Sequence, residues 1–388
     1  MPGTRATLGL EWSLSLAACS ALPQGEKETR LRPLLHESIN WKVLFEIAGH
    51  HGVQPLLEQA MSCVEEAIPQ SVLLTLRQLH QANVYKSLFL SLELLRVLDV
   101  LFPLNIEVLP YKGLALAEMA YGDIALRQSG DIDLLIHAKD LPRIREAVAQ
   151  LGYTPHTSFS PAEERAYLKS GYECAFDTAT SRNLLEVQWA IQPRFYTVDF
   201  DMEGLFRRSV AITVAGRAMR TPSPEDLFLI LSLHAAKHVW DRLIWLCDIA
   251  RIMNRADLDW SLIGSQARRL AIVRILRVTM ILANHLLDAA IPSAAETHLP
   301  RDSGAIELAS LIESRLASGV AYNSESFSYF RLMMQLRERP IDRMRFLSRL
   351  AFTPGPGEWQ AVRIPAPLFP LYRLIRLSRL TVRLIRSS

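Results

Sequence analysis

Cysteine is scarce in this sequence of 388 residues, which contains four, widely spaced and without a CxxC pair. That spacing suits neither a disulfide framework nor a zinc knuckle, and it predicts a reducing compartment. The sequence also lacks an uncharged apolar run of about 18 residues, which argues against a membrane-spanning helix. Its net charge of +3 is too small to indicate nucleic-acid binding by itself. We therefore expect a cytoplasmic protein that does not bind nucleic acid.

The composition that remains is ordinary for a globular protein, with 49% hydrophobic and 21% charged residues. Leu8–Ala21 is an apolar stretch near the N-terminus, but Glu11 interrupts it and only Arg5 precedes it. We interpret this stretch as an amphipathic helix, with a signal peptide as the alternative.

The periodicity of apolar residues divides the chain into four regions. Apolar residues recur near every 3.6 positions in residues 1–102 and again in 222–352, which predicts two helical regions. Residues 103–221 mix strand and helix patterns. Residues 353–388 combine a proline-rich linker with a basic amphipathic tail. The expected fold class is α+β, a small mixed-sheet core flanked by N- and C-terminal helical regions.

Short apolar runs mark the strands expected in the core. These runs are Ile106–Leu109, Ile132–Ile136, Tyr172–Asp177 and Leu184–Ile191, the last two joined as a hairpin by the polar turn Thr178–Asn183. A helix is expected over Leu141–Leu151, with Asp140 as its N-cap.

Two carboxylates flank Ile132 at the start of the second expected strand. Side chains alternate along a strand, so Asp131 and Asp133 point to the same face. Neighbouring carboxylates repel each other unless a cation lies between them, and oxygen ligands of this kind suit Mg²⁺. A third acid, Glu186, lies in a later strand and would complete a two-metal phosphoryl-transfer site. The alternative is a polar strand end with solvated acids.

Basic residues and a glycine precede these acids. Lys112-Gly113 lies at a strand-to-helix junction, where free N–H groups of a helix N-terminus hold phosphate oxygens. Gly113 permits close approach of the backbone to a ligand. Arg127 is close enough in sequence to the acids to reach a triphosphate.

This segment resembles the nucleotidyltransferases of the DNA polymerase β type, and most closely the subgroup described as uncharacterised nucleotidyltransferases. The motifs that carry the resemblance occur in the subgroup's order: Lys112-Gly113, Tyr121-Gly122-Asp123, Arg127, Asp131-Ile-Asp-Leu-Leu-Ile136 and Leu151-Gly-Tyr153. Flanking segments are similar as well, namely His51-Gly-Val-x-Pro-Leu56, His234-Ala-Ala-Lys-His-Val-Trp240 and Asp248-Ile-Ala250. The resemblance covers about residues 35–265.

The resemblance implies a nucleotidyltransferase core that moves an NMP, or a phosphoryl group, from an NTP to a hydroxyl acceptor. The acceptor class is a small molecule, a glycan precursor or a peptide. The catalytic and metal-binding residues, for two Mg²⁺ ions, would be Asp131, Asp133 and Glu186. The residues that contact the nucleotide phosphates would be Lys112, Gly113 and Arg127.

Two departures from the family pattern concern activity. The wider superfamily has Gly-Ser closer to the first acid, whereas Gly113-Leu114 is separated from Asp131 by 17 residues. The later strand of the subgroup commonly reads Asp-Leu-His-Trp, whereas Glu186-Val-Gln-Trp189 stands here. Gln188 cannot do acid–base work that the usual histidine performs. The alternative function is therefore a non-catalytic interaction protein, antitoxin-like, that retains the fold.

Two further patterns have competing interpretations. His234 and His238 have the spacing of zinc ligands on one helical face, but Ala235 replaces the glutamate of HExxH. The alternatives are ordinary packing and a helix face that lines the nucleotide or acceptor pocket, with Lys237 and His238 near phosphate. Residues 372–386 carry arginines on one helical stripe, at Arg373, Arg376, Arg379, Arg383 and Arg386. This basic amphipathic tail is typical of a helix that packs on its own domain, lies on an anionic membrane surface or contacts RNA.

Overall fold

The structure is a computed structural model that describes residues 9–157, 159–179, 185–319, 326–354, 358, 362 and 364–387. Side chains are described for these residues except 366 and 381–387. Part of the predicted turn Thr178–Asn183 and the side chains of Arg383 and Arg386 therefore lie outside the described residues.

The chain before the sheet is helical, as its apolar periodicity predicts. The helices are α1 (Leu10–Cys19), α2 (Gln24–Leu35), α3 (Trp41–His51), α4 (Gln54–Met61) and α5 (Gln70–Leu101). α3 begins after Asn40, whose side chain accepts a hydrogen bond from the Val43 N–H. It ends at Gly52, which has a φ of 71° and caps the helix after His51.

A mixed sheet of five strands follows, which confirms the expected fold class. Its strands are β1 (Val108–Pro110), β2 (Ile132–Ile136), β3 (Thr154–Pro155), β4 (Glu173–Asp177) and β5 (Leu185–Gln188). The spatial order is β1-β2-β5-β4-β3, in which only the β2–β5 pair is parallel. The predicted antiparallel hairpin of the last two strands is confirmed as the β4–β5 pair.

Three helices connect these strands, namely α6 (Gly113–Tyr121), α7 (Leu141–Ala149) and α8 (Pro161–Ser170). Asp140 is the N-cap residue of α7, as predicted, but in the described structure its carboxylate makes no capping bond and instead accepts from Arg143 Nη1 at 3.3 Å. α8 was missed. Its start has a capping box, in which Ser160 and Glu163 each accept from the other's backbone N–H.

The rest of the described chain is a short helix, a hairpin and a helical region. These elements are α9 (Met202–Arg208), β6 (Val210–Val214), β7 (Arg217–Thr221), α10 (Pro224–Lys237), α11 (Leu243–Met253), α12 (Trp260–Leu270), α13 (Val273–Leu287), α14 (Ser293–His298), α15 (Ser303–Ser318), α16 (Phe327–Gln335), α17 (Pro340–Phe352) and α18 (Tyr372–Ser387). Ser223 accepts from the Asp226 N–H and starts α10, as predicted.

The sheet is buried on both faces, because successive β2 residues pack into different clusters. Leu135 joins the large cluster formed by the N-terminal helices and α10 to α17. Leu134 and Ile136 join a second cluster with α5 and α7. The polar residues of this strand therefore lie at its end, where the packed layers open. The division of the chain into four regions stays a prediction.

The described part of α18 packs on its own chain. Arg376 and Arg379 form ion pairs with Glu358, and Tyr372 is fully buried. Contact of this tail with a membrane surface stays a prediction. Within the described part of the chain, no helix combines the length and the apolar character needed to cross a bilayer.

Candidate active site

Three acids from two neighbouring strands lie at one end of the sheet. β2 and β5 run parallel, and the Cα of Asp133 is paired with that of Glu186. Asp131 immediately precedes β2 and lies two residues before Asp133. Because side chains alternate between the two faces of a strand, both carboxylates are directed to the same side. All three residues line one cavity of about 720 Å³. The structure therefore brings together the acids that the sequence singled out.

The turn from β1 into α6 brings Lys112 and Gly113 to the same cavity. Gly113 starts α6 with a φ of +50°, which residues with a side chain rarely adopt. A Cβ at this position would lie 3.2 Å from the carbonyl oxygen of Asp131. The glycine thus allows the start of α6 to approach the backbone of the first acid. Lys112 Nζ donates to Asp133 Oδ1 at 3.1 Å.

Burial and repulsion from neighbouring carboxylates raise the pKa values of Asp131 and Glu186. Burial, and after it the charge of Asp133, raises the pKa of Asp131 to about 6. Burial and then Asp133, followed by Glu173, raise the pKa of Glu186 to about 7. Burial is the largest single effect on the pKa of Lys112 and lowers it, but Asp133, Tyr111 and Glu186 together outweigh burial and raise that pKa above its usual value. The ammonium group of Lys112 therefore offsets only part of the negative charge of the neighbouring carboxylates.

Arg127, predicted to contact phosphate, is held by Asp248 of α11. Its Nε lies 3.0 and 3.1 Å from the two carboxylate oxygens, and its Nη2 lies 2.9 Å from Oδ2. The side chains are 8% and 0% exposed, respectively. Tyr121 Oη donates to the same carboxylate at 2.8 Å. Arg127 lines the cavity, but its guanidinium group is turned to an acid outside the lining, which favours a positioning role over phosphate contact.

Helices on two sides fix the loop 122–131, which carries Arg127 and leads to the first acid. Asn83 and Ser87 of α5 donate to backbone carbonyl groups of this loop at 2.7 and 3.1 Å. Gln128 Nε2 donates to Gln54 Oε1 of α4 at 2.9 Å. Because these contacts come from the N-terminal helices, that region helps to position the acids.

Residues 37–288, more than half of the chain, match the family of uncharacterised nucleotidyltransferases. The chain belongs to this family. The match confirms the resemblance inferred from the motifs. No curated protein and no solved structure matches the chain significantly. Membership of this nucleotidyltransferase family implies a nucleotide substrate and leaves the acceptor open.

Another part of the cavity wall is helical in this member of the nucleotidyltransferase family. His234, Lys237 and His238 of the α10 end line the cavity together with Trp245 of α11. The two histidine rings contact the Trp245 ring, with centroids 5.0 and 5.3 Å apart. Burial, and then the charge of Lys237, lowers the pKa of His238 to about 3, so this imidazole is neutral at pH 7. The described residues offer these histidines no third zinc ligand.

Gln188, which stands where the family commonly has histidine, organises two carboxylates. Its Nε2 lies 3.3 Å from Glu186 Oε2 and 3.5 Å from Glu173 Oε2. Its Oε1 accepts from Tyr111 Oη at 2.5 Å. The residue is 2% exposed, so the amide is committed to these partners. Sequence reasoning missed Glu173 and Tyr111, which reach the cavity only through the pairing of β4 with β5 and β1 with β2.

We expect Asp248→Asn to lower the free energy of unfolding by about 3 kcal/mol or more, because it leaves the buried Arg127 without a counter-charge. The measurement is urea unfolding at pH 7. Asp257→Asn is the matched control, since its ion pair with Arg255 is exposed and contributes about 1 kcal/mol or less. Equal midpoints for the two variants would contradict the role assigned to Asp248.

Gly113→Ala should be more damaging than Gly122→Ala. Both glycines have positive φ, +50° and +70°, so each substitution costs about 1 kcal/mol or more in backbone strain. In the described structure an added Cβ at Gly122 meets no atom within 4 Å, whereas one at Gly113 meets the Asp131 carbonyl oxygen. Thermal unfolding and nucleotide binding of both variants check this. Similar losses in the two variants would show that the close approach to Asp131 is unimportant.

Proposed function

We propose that the protein is a Mg²⁺-dependent nucleotidyltransferase that moves an NMP group from an NTP to a hydroxyl acceptor. The observation that carries this proposal is the convergence of Asp131, Asp133 and Glu186 on one cavity, beside Lys112 at the start of α6. Membership of the nucleotidyltransferase family supports the reaction class. The acceptor is a small molecule, a glycan precursor or a peptide.

The acids fit a divalent cation by their chemistry. Carboxylate oxygens are the hard ligands that Mg²⁺ prefers. Burial, and after it the charge of Asp133, raises the pKa values of Asp131 and Glu186, so a cation between these acids would relieve their repulsion. Within the described residues, no three His, Cys, Asp or Glu side chains already converge as metal ligands, so side-chain rearrangement would accompany binding. Asp131, Asp133 and Glu186 would hold Mg²⁺, which would supply positive charge to offset the negative charge that develops on the phosphates.

The protein's own groups would orient the donor and handle the proton. The N-terminus of α6 and Lys112 would hold phosphate oxygens. Glu186, with a pKa of about 7, is suited to take the acceptor's hydroxyl proton. The acceptor oxygen then forms a bond to the α-phosphorus, the bond to the β-bridging oxygen breaks, and pyrophosphate leaves with its electron pair. Gln188 and Arg127 act as positioning residues for the acids.

We expect each NTP that serves as donor to bind the wild type more tightly with Mg²⁺ than without it, and Asp131→Asn/Asp133→Asn to abolish this Mg²⁺-dependent increase in affinity. The substituted side chains keep their size and lose the charge that holds the cation. Isothermal titration calorimetry with the four NTPs, with and without Mg²⁺, is the measurement, and Asp257→Asn is the control. A Mg²⁺-dependent increase in nucleotide affinity that survives in the double variant would contradict the site. Absence of binding to folded wild type would favour the non-catalytic interaction protein.

Mg²⁺ binding should weaken as the pH falls. Carboxyl groups with pKa values of about 6 and about 7 are largely protonated at pH 5.5, so affinity should be about 100-fold lower there than at pH 8. These folded-state pKa values exceed the ordinary values of 3.8 for aspartate and 4.5 for glutamate. The metal-free protein therefore loses stability as the pH rises from about 4 to about 7, and Mg²⁺ restores it.

The measurement for this pH dependence is the Mg²⁺-induced increase in Tm at pH 5.5 and pH 8. A larger increase at pH 8 is expected. Glu186→Gln should make the dependence shallower, because one titrating ligand is removed. Equal increases at the two pH values would contradict the assignment of these acids as ligands.

A further inference from the structure

Lys237 brings a positive charge to the cavity without an acidic partner. Its Nζ donates to Tyr172 Oη at 2.9 Å and lies 4.8 Å from the centre of that ring. Within the described part of the chain it forms no ion pair. Burial, the largest effect, lowers the pKa of Lys237, and the charge of Glu173 restores it only in part. A half-buried ammonium group whose nearest partner is a neutral hydroxyl is stabilised by an anion.

Arg242 adds a second cation to the same wall. It is the N-cap of α11, and its Nη1 donates to the backbone carbonyl of His50. Among the described residues it too has no acidic partner. Ile244 and Trp245 in the first turn of α11 line the cavity, so the positive end of the helix dipole lies there. The cations and the helix end form one electropositive surface.

The two histidine rings near Lys237 carry no charge of their own. Burial is the first cause that lowers the pKa of both His234 and His238, so both imidazoles are neutral at pH 7. They contact Trp245 and add ring surface and nitrogen atoms but no charge. The acids of the cavity come from the sheet and its preceding loop, whereas Lys237 and Arg242 come from the helical region. The cavity therefore has acids on its sheet side and the cations Lys237 and Arg242 on its helical side.

We propose that Lys237, Arg242 and the first turn of α11 form a phosphate subsite that acts without metal and is separate from the acids. Its ligand is a phosphate group on an organic molecule, carried by the donor's polyphosphate chain or by a phosphorylated acceptor. The choice of phosphate as the anion rests on the proposed nucleotidyl transfer. The inference that an anion binds here rests on Lys237 and Arg242, which have no acidic partner among the described residues.

The test is calorimetric titration of inorganic tripolyphosphate into protein kept metal-free with EDTA. The wild type should bind it, and Lys237→Met should bind about tenfold more weakly or worse, because a charge-assisted hydrogen bond is lost. Lys237→Arg should retain most of the affinity, since it keeps the charge. Lys139→Met, at an exposed lysine outside the cavity, is the matched control and should bind like the wild type.

Equal tripolyphosphate affinities for the wild type and a folded Lys237→Met variant would overturn the proposal, as would absence of binding to the wild type. Asp131→Asn/Asp133→Asn should bind tripolyphosphate at least as tightly as the wild type, because it removes nearby negative charge. The same double variant should lose Mg²⁺-dependent NTP binding. The phosphate subsite and the proposed transferase activity can therefore fail independently.

A second titration assigns the source of the phosphate. Inorganic phosphate is titrated into the wild type saturated with Mg²⁺ and a non-hydrolysable NTP analogue. Binding that persists and depends on Lys237 assigns the subsite to a phosphorylated acceptor. Binding that disappears assigns it to the donor's polyphosphate, because the analogue then occupies the same cations.

Discussion

The buried ion pair between Arg127 and Asp248 joins the two halves of the candidate site. Arg127 lies in the loop that leads to the acids, and Asp248 lies in α11 of the helical region. The guanidinium group and the carboxylate are joined by three short contacts, and the Tyr121 hydroxyl supplies a further bond. Both charges are removed from water, so neither element can move away without leaving an unpaired buried charge. The distance between the acids and the helical wall is constrained by this pair.

The N-terminal helices contribute to the same arrangement. His51 Nδ1 accepts a hydrogen bond from the Leu243 N–H at 3.3 Å and thereby caps the start of α11. Burial lowers the pKa of His51 to about 4, so it is a neutral acceptor at pH 7. Gly49 and Gly52 line the cavity beside it. The family segment begins at residue 37, just before α3, and thus includes this part of the cavity wall as well as the sheet.

Local pattern was enough to predict several elements and the acids of the site. β2 was predicted with its observed bounds, because five successive apolar-rich positions between Asp131 and His137 favour a buried strand. The start of α10 was predicted because Ser223, followed by proline and acids, satisfies free N–H groups locally. The hairpin β6–β7 was missed although its turn, Ala215-Gly216, has positive φ at both positions and is typical of a two-residue hairpin loop.

Other features of the site could not be predicted because they depend on residues far apart in the chain. Arg127 and Asp248 were both noted as family-like residues, but their pairing joins positions 121 residues apart. Lys237 and Gln188 lie in family-like segments, but the local pattern does not show which groups they contact. Their importance comes from their partners, Tyr172 for the lysine and Glu186 with Glu173 for the amide. Such contacts form only when separate elements pack.

The sequence by itself determined the family, the mixed-sheet fold class and the alternation that directs Asp131 and Asp133 to one side. These properties follow from short-range periodicity and motif order, which do not require knowledge of packing. Only the tertiary structure decided that Arg127 faces Asp248 and that unpaired cations share the cavity with the acids. The reason is that charge pairing and burial depend on distances through space, and a linear sequence does not specify which distant groups meet.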